Sequence, residues 1–104
     1  MPAYMIVTAK ISDRDAFING YGMAAGALVE KMGGKYVLRG PGAILLEGEN
    51  SGQYDGASMV ISEWPDKAAA QKFWDSAEYQ EIKKLRDGIA DCQVLLIEGT
   101  KING

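Results

Sequence analysis

Histidine is absent from this chain of 104 residues, and cysteine occurs once, at Cys92. The absence of histidine excludes the catalytic, metal-binding and pH-sensing roles that depend on an imidazole ring. A lone cysteine forms no disulfide within the chain, and Cys92 starts an apolar segment with no histidine to activate its thiol. We therefore expect Cys92 to be a small hydrophobic residue that function does not require, and we look for chemistry among carboxylates, tyrosines and arginines.

Long hydrophobic runs and an excess of basic charge are also lacking. No apolar stretch approaches the roughly 20 residues that cross a bilayer. The first residues lack the basic and apolar regions of a secretory signal, and Lys10 interrupts them early. Eleven basic against 14 acidic residues leave a net charge of −3, so the attraction that drives nucleic-acid binding is missing. We expect a cytoplasmic protein with neither a membrane nor a nucleic-acid partner.

Cofactor and metal motifs are missing as well. Gly20, Gly22 and Gly26 imitate a dinucleotide fingerprint, but their spacing is one residue too long and they lie within a predicted helix. In a helix interior they indicate close packing or a break. No acidic calcium-loop pattern occurs. We therefore expect no cofactor and no metal.

The residues that are present predict an ordinary globular domain. The hydrophobic fraction is 47% and the charged fraction is 24%, which is typical of a folded protein. The length suits one domain over residues 1–104, with a core over about 1–99 and a tail over 100–104.

Local patterns predict the element order βαββαβ. Segments rich in β-branched and aromatic residues predict four strands, over 4–11, 35–39, 57–63 and 92–98. Gly40-Pro41-Gly42 predicts a bend, and residues 43–47 are either a continuation of the second strand or its hairpin partner. The turn formers of residues 49–56 predict a loop.

Two helical regions separate these strands. The first is expected to begin at a Ser12 cap and to end at Gly33 and Gly34. The second covers residues 67–74, breaks at Asp75 and Ser76, and continues in helical period to Ile89. Glu78 lies three residues after Asp75, as in a capping box.

This order predicts an α+β, ferredoxin-like fold. Right-handed crossovers place both helical regions on one face of a four-stranded antiparallel sheet. The first and last strands carry apolar residues at alternate and intervening positions alike, so the second face of the sheet also needs a cover. A second copy of the chain is the simplest cover, and we expect a twofold homodimer.

Several segments resemble a known family. They are GGKYVLRG at 33–40, LEG at 46–48, FWDSAEYQEIKKLR at 73–86 and VLLIEG at 94–99. The most specific stretch is W-x-S-x-E-Y-x6-R, formed by Trp74, Ser76, Glu78, Tyr79 and Arg86. The chain resembles the family known as domain of unknown function 1330. The resemblance implies the dimeric α+β barrel superfamily, in which two ferredoxin-like sheets face each other, and which includes cofactor-independent monooxygenases and small isomerases.

Candidate ligand-binding residues carry groups suited to acid–base work or to anion binding. They are Arg39, Glu47, Tyr21, Glu63, Trp74, Tyr79 and Arg86, with Tyr36 as a further tyrosine. Arg39 and Glu47 could instead form a structural ion pair, and Trp74 and Tyr79 could be core aromatics. A ligand site is expected beside the bent second strand and the broken second helix, with Arg39 as the anchor for a small anionic or aromatic ligand. No catalytic residue can be named.

Two classes of function remain open. One is a small-molecule pocket between sheet and helices, with cofactor-independent chemistry of an isomerase or monooxygenase kind. The other is a non-catalytic dimeric binding or structural module. A pocket with converging polar groups favours the first class, and a filled core favours the second.

Overall fold

Four antiparallel strands form the sheet of the computed structural model, which describes residues 1–49 and 54–102. The strands are β1 (Ala3–Ile11), β2 (Lys35–Gly40), β3 (Ser58–Trp64) and β4 (Ala90–Glu98). Their order in the sheet is β2-β3-β1-β4, with β1 paired to both β3 and β4. The predicted strands and their antiparallel arrangement are confirmed, although β4 begins two residues earlier than expected.

The first helical region contains a wide turn instead of one regular helix. It consists of α1 (Arg14–Phe17), a π-helical turn at Ile18–Gly22, and α2 (Met23–Lys31). Two of the three helical glycines lie in that π-helical turn, as the predicted break requires. The N-cap is Asp13 and not Ser12, because the Asp13 side chain accepts a hydrogen bond from Ala16 N at 3.1 Å.

Ser12 has a different role from the expected cap. Its backbone N–H and its hydroxyl both donate to the carbonyl of Ile89, at 2.8 and 3.1 Å. Gly33 follows the end of α2 with a φ of 96°, a conformation that favours glycine.

The second helical region is broken at Ser76, as predicted. Its parts are α3 (Lys67–Asp75), α4 (Ala77–Lys83) and a 3₁₀ turn at Lys84–Arg86. Ser76 alone caps α4, because its hydroxyl accepts from Tyr79 N at 3.1 Å. The predicted Asp75–Glu78 capping box is therefore wrong, and Ile89 lies beyond the helical residues.

Residues 43–47 form neither a strand continuation nor a hairpin partner, so both alternatives are wrong for this described segment. Backbone hydrogen bonds join Ala43 to Ala57 and Gly56, just before β3, at 2.8 and 2.7 Å. Leu45 N also donates to Asp55 Oδ1 at 3.0 Å. Ile44 and Leu46 are 78% and 93% exposed. The preceding Gly40-Pro41-Gly42 bend is confirmed, with Gly42 at a φ of 69°.

The helices cover one face of the sheet and leave the other apolar face exposed. Met5 and Trp64 on the covered face belong to the core, together with Phe73 from α3. On the open face, Ile6 of β1 is paired with Ile61 of β3 and Leu95 of β4. The expectation of two apolar faces is therefore confirmed, and the architecture is the predicted ferredoxin-like α+β fold.

Within residues 1–49 and 54–102, the helices are all too short or too polar to cross a membrane.

Candidate functional site

A cavity of about 540 Å³ lies between the sheet and the helices. Apolar side chains supply most of its wall, and the polar side chains in its lining come from both helical regions and from β2 and β3. Those polar side chains are Arg14, Tyr21, Tyr36, Arg39, Ser58, Ser62 and Tyr79. The lining includes no aspartate, glutamate or lysine. The side chains around the cavity therefore offer hydrogen-bond donors and positive charge without a carboxylate.

Arg39 and Tyr36 form one wall of the cavity because β2 contains a bulge. Strict alternation along β2 would place Arg39 on the same face as Val37. The register with β3 shifts between Tyr36 and Leu38, so that Arg39 follows Tyr36 onto the helix-covered face. The guanidinium carbon of Arg39 lies 5.5 Å from the centre of the Tyr36 ring. Burial raises the pKa of Tyr36, although the charge of Arg39 opposes that shift.

Arg14 is a second cation of the lining that the sequence did not single out. It belongs to α1, and its Nη2 donates to Ser58 Oγ at the start of β3 across 3.1 Å. In the sequence, Arg14 is one charged residue in the first turn of an amphipathic helix, which is usually solvent-facing. Only the packing of α1 over β3 makes it part of the cavity.

Tyr21, Tyr79 and Arg86 meet at the buried side of the cavity. The two tyrosine hydroxyls are 2.8 Å apart, and Arg86 Nη1 donates to Tyr21 at 3.2 Å and to Tyr79 at 3.5 Å. Tyr21 comes from the π-helical turn, Tyr79 from α4, and Arg86 from the 3₁₀ turn that follows. The guanidinium also lies 5.0 Å from the centre of the Tyr21 ring. Three predicted candidates are thus brought together.

Burial favours the protonated forms of the titratable side chains at this cluster. Burial raises the pKa of Tyr21 far above its usual value, and Tyr79 adds to that shift. Burial likewise raises the pKa of the Cys92 thiol, although Arg86 opposes it. The Tyr21 hydroxyl and the Cys92 thiol therefore stay protonated at neutral pH.

The remaining candidates lie outside this cavity. Glu47 is exposed in the segment after the bend, and the structure shows no ion pair between it and Arg39 within the described residues. Glu63 lies on the open face of the sheet, where Lys101 Nζ approaches its Oε1 to 2.9 Å. This close contact with the ammonium group of Lys101 lowers the pKa of Glu63. The ion-pair alternative for Arg39 is therefore not what the structure shows.

Trp74 packs beside the cluster without lining the cavity. Its ring centre is 5.0 Å from that of Tyr79, and Lys83 Nζ lies 4.8 Å from the same ring centre. It borders a smaller cavity of about 210 Å³ with Met5 and Leu96. Among residues 1–49 and 54–102, no three aspartate, glutamate or cysteine side chains are grouped as metal ligands.

Comparison with solved structures shows where this fold recurs. A protein of unknown function from Rhodopseudomonas palustris superposes with a TM-score of 0.75 at 23% identity, over 96% of this chain and 83% of that one. SnoaB, a cofactor-independent oxygenase from Streptomyces nogalater, superposes with a TM-score of 0.68 at 12% identity, over 96% of this chain and 94% of SnoaB. A dimeric ferredoxin-like protein of unknown function from Jannaschia sp. CCS1 superposes with a TM-score of 0.58 at 14% identity, over 95% of this chain and 100% of that one. At these identities the likeness concerns the fold.

Sequence comparison adds the family. A search of curated proteins finds no match to this chain. The model of the family described as domain of unknown function (DUF1330) matches residues 2–100. That match includes β1 to β4, the cavity lining and the Tyr21–Tyr79–Arg86 cluster. The chain therefore belongs to the DUF1330 family, as its W-x-S-x-E-Y-x6-R stretch indicated.

Proposed function

We propose that this protein binds a small apolar or aromatic ligand that carries an anionic group, in the cavity between sheet and helices. The observation that carries this proposal is a lining with two arginines and no carboxylate. The volume of about 540 Å³ lies within the range of about 300–1,000 Å³ that is usual for small-molecule sites.

The apolar wall supports a hydrophobic ligand body. Met5 and Val7 of β1, Val60 of β3, and Phe17 and Val29 of the first helical region all line the cavity. A ligand that displaces water from such a wall gains roughly 25 cal/mol for each Å² of apolar surface that it buries. Aromatic or aliphatic ring systems suit this environment best.

The arginines support the anionic group. The guanidinium of Arg39 is exposed and stacked on Tyr36, and its planar donors can hold a carboxylate in bidentate fashion. Arg14 keeps donors beyond its one hydrogen bond to Ser58. Without a competing carboxylate in the lining, both cations are available to an anion from solution.

Binding is better supported than proton abstraction. No carboxylate or lysine lines the cavity, and the pKa of both Tyr21 and Tyr36 is raised by burial. A general base at neutral pH needs a pKa near the working pH. The second candidate function, cofactor-independent turnover of the kind named for the structurally similar SnoaB, then depends on a reactive substrate that supplies its own base.

We propose in addition that two copies pair through the open face of the sheet. Leu95 and Ile97 of β4 are 65% and 56% exposed, and Leu38 of β2 is 46% exposed on the same face. A second copy presents the same apolar surface, so a twofold axis matches the two faces to each other. The structurally similar protein from Jannaschia is described as dimeric, which supports a dimer of this fold without saying which face pairs.

Calorimetry with 4-acetylbenzoate and its neutral analogue acetophenone tests the ligand proposal. We expect the carboxylate to bind more tightly than the neutral compound. Arg39→Met should remove about fivefold of that preference, the upper end of what an exposed ion pair contributes. Arg39→Lys should show an intermediate preference for the carboxylate, because it retains the charge and loses the bidentate geometry.

Lys72→Met is the matched control, since Lys72 is an exposed cation of α3 that does not line the cavity. It should leave the preference for the carboxylate unchanged. Equal affinities of native protein and Arg39→Met for 4-acetylbenzoate, or no binding of either compound, would contradict the proposed function.

A further inference from the structure

Behind the inner wall of the cavity lies a buried cation that no carboxylate of the described residues neutralises. Arg86 is 8% exposed, and among residues 1–49 and 54–102 no aspartate or glutamate forms an ion pair with it. Burying an ionised group is costly unless partners compensate its charge. Among the described residues, this guanidinium donates to two tyrosine hydroxyls and lies against the face of the Tyr21 ring. The Cys92 thiol is also near enough for Arg86 to oppose the rise of its pKa. Arg86 therefore leaves a positive electrostatic potential at this end of the cavity.

The hydroxyl protons of the cluster do not all have acceptors. Tyr21 and Tyr79 carry one hydroxyl proton each, and one of the two forms their mutual hydrogen bond of 2.8 Å. Arg86 has only donors and cannot accept the other proton. The hydrogen bonds of both hydroxyls within the described residues are those to each other and to Arg86. One O–H donor is thus left over in a buried place, where an unpaired donor destabilises the protein.

The spare donor belongs to a side chain of the cavity wall. Tyr21 and Tyr79 are 8% and 2% exposed, and both line the cavity, whereas Arg86 does not. The guanidinium therefore lies behind the two tyrosines, and a ligand in the cavity would lie against them from the other side.

We infer that Tyr21 and Tyr79, backed by Arg86, bind a single oxygen atom of the ligand, such as that of a ketone, an enolate or a phenolate. This inference rests on the proposed function, because the same ligand fills the same cavity. It adds a second recognition point on the buried side, separate from the arginines that take the anionic group. One donor beside one positive charge matches one oxygen with developing negative charge.

Four related compounds separate the two recognition points. 4-Acetylbenzoate has both the carboxylate and the ketone, and 4-isopropenylbenzoate replaces the ketone oxygen by a methylene group of similar shape. Acetophenone and α-methylstyrene repeat that difference without the carboxylate. The affinity ratio within each pair measures the contribution of the ketone oxygen, and the ratio between the pairs measures that of the carboxylate.

In the native protein we expect each ketone to bind about tenfold more tightly than its hydrocarbon analogue, as one buried hydrogen bond predicts. The double variant Tyr21→Phe/Tyr79→Phe should abolish that ratio and leave the carboxylate preference unchanged. Arg39→Met should instead reduce the preference for the carboxylate and leave the ratio between ketone and hydrocarbon unchanged. The C=O stretching band of the bound ketone should also shift to lower frequency in the native protein and stay unshifted in the double variant. A merely structural role of the tyrosines does not produce such a shift.

Each outcome decides between the two proposals. Binding of the carboxylates with equal affinity for ketone and hydrocarbon overturns the oxygen site and retains the proposed function. A ketone preference without a carboxylate preference overturns the proposed anion site and retains the oxygen site. No binding of any of the four compounds overturns both. If the double variant does not fold, the single variants Tyr21→Phe and Tyr79→Phe are used, and a full ketone preference in both of them overturns the oxygen site.

Discussion

Tyr21 and Tyr79 are 58 residues apart in the sequence and share a hydrogen bond of 2.8 Å. The bond joins the π-helical turn of the first helical region to α4 of the second. Their rings also meet edge to face, with centres 6.4 Å apart, which is a geometry that aromatic pairs prefer. The pair therefore holds the two helical regions together and at the same time forms the buried wall of the cavity.

Glu63 is expected to stabilise the fold from the open face of the sheet. Its ion pair with Lys101 lowers its pKa, so its contribution is present above the unfolded pKa and is lost as the pH falls through the folded one. Glu63→Gln should lower the melting temperature at pH 7 and have no effect in strong acid, as thermal unfolding across pH would show. Glu47→Gln, which removes an exposed carboxylate, is the control. A difference of equal size at all pH values would refute this role.

Gly34 is expected to tolerate no side chain. A Cβ built there would lie 2.8 Å from ring atoms of the buried Trp64, closer than side-chain contacts allow. Gly34→Ala should lower the free energy of unfolding by about 1–3 kcal/mol, the usual cost of overpacking a core. Gly20→Ala is the matched control, because a Cβ at Gly20 meets no atom within 4 Å. Chemical denaturation measures both variants, and equal stabilities would show that Trp64 moves aside without cost.

Cys92 is expected to be dispensable. Burial raises the pKa of its thiol, so it stays protonated at neutral pH and should react slowly with a disulfide reagent. Cys92→Ala and Cys92→Ser should lower the free energy of unfolding by about 1 kcal/mol and bind 4-acetylbenzoate as the native protein does. Loss of that binding in a folded Cys92→Ser protein would assign the thiol to the site.

The protein is expected to be a dimer at micromolar concentration, with an interface well above about 1,000 Å². Leu95→Glu places a charge on the open face of the sheet, near the same charge in the second copy, and should produce monomers. Leu85→Glu changes a side chain of similar exposure in the 3₁₀ turn, outside that face, and should leave the dimer intact. Light scattering distinguishes these states. A monomeric native protein would eliminate the pairing.

Local sequence determined the elements and their order. Runs of β-branched and other apolar residues mark β1 and β4, and Gly33 with Gly34 ends the first helical region. Ser76 breaks the second helical region because its hydroxyl caps α4. Each of these signals acts within a few residues, so the sequence alone predicts it. The chirality of the crossovers then limits the topology to the ferredoxin-like order.

The site depended on long-range packing. Sequence analysis named Tyr21, Tyr79 and Arg86 as separate candidates, but nothing within their own segments shows that they meet. Arg14 is indistinguishable in sequence from a solvated helix residue, and it lines the cavity only because α1 lies over β3. Hydrogen bonds across more than 40 residues depend on the relative placement of whole elements, which local propensity does not encode.

The bulge in β2 shows the same division within one strand. Residue type and alternation determined that 35–39 is a strand, yet a shift of one residue in register reverses which face a side chain occupies. Pairing with β3 sets that shift between Tyr36 and Leu38 and turns Arg39 toward the helices. The sequence thus determined which residues are strand and helix, and the tertiary structure decided which of their side chains surround the cavity, because that depends on strand register and on the seating of helices over the sheet.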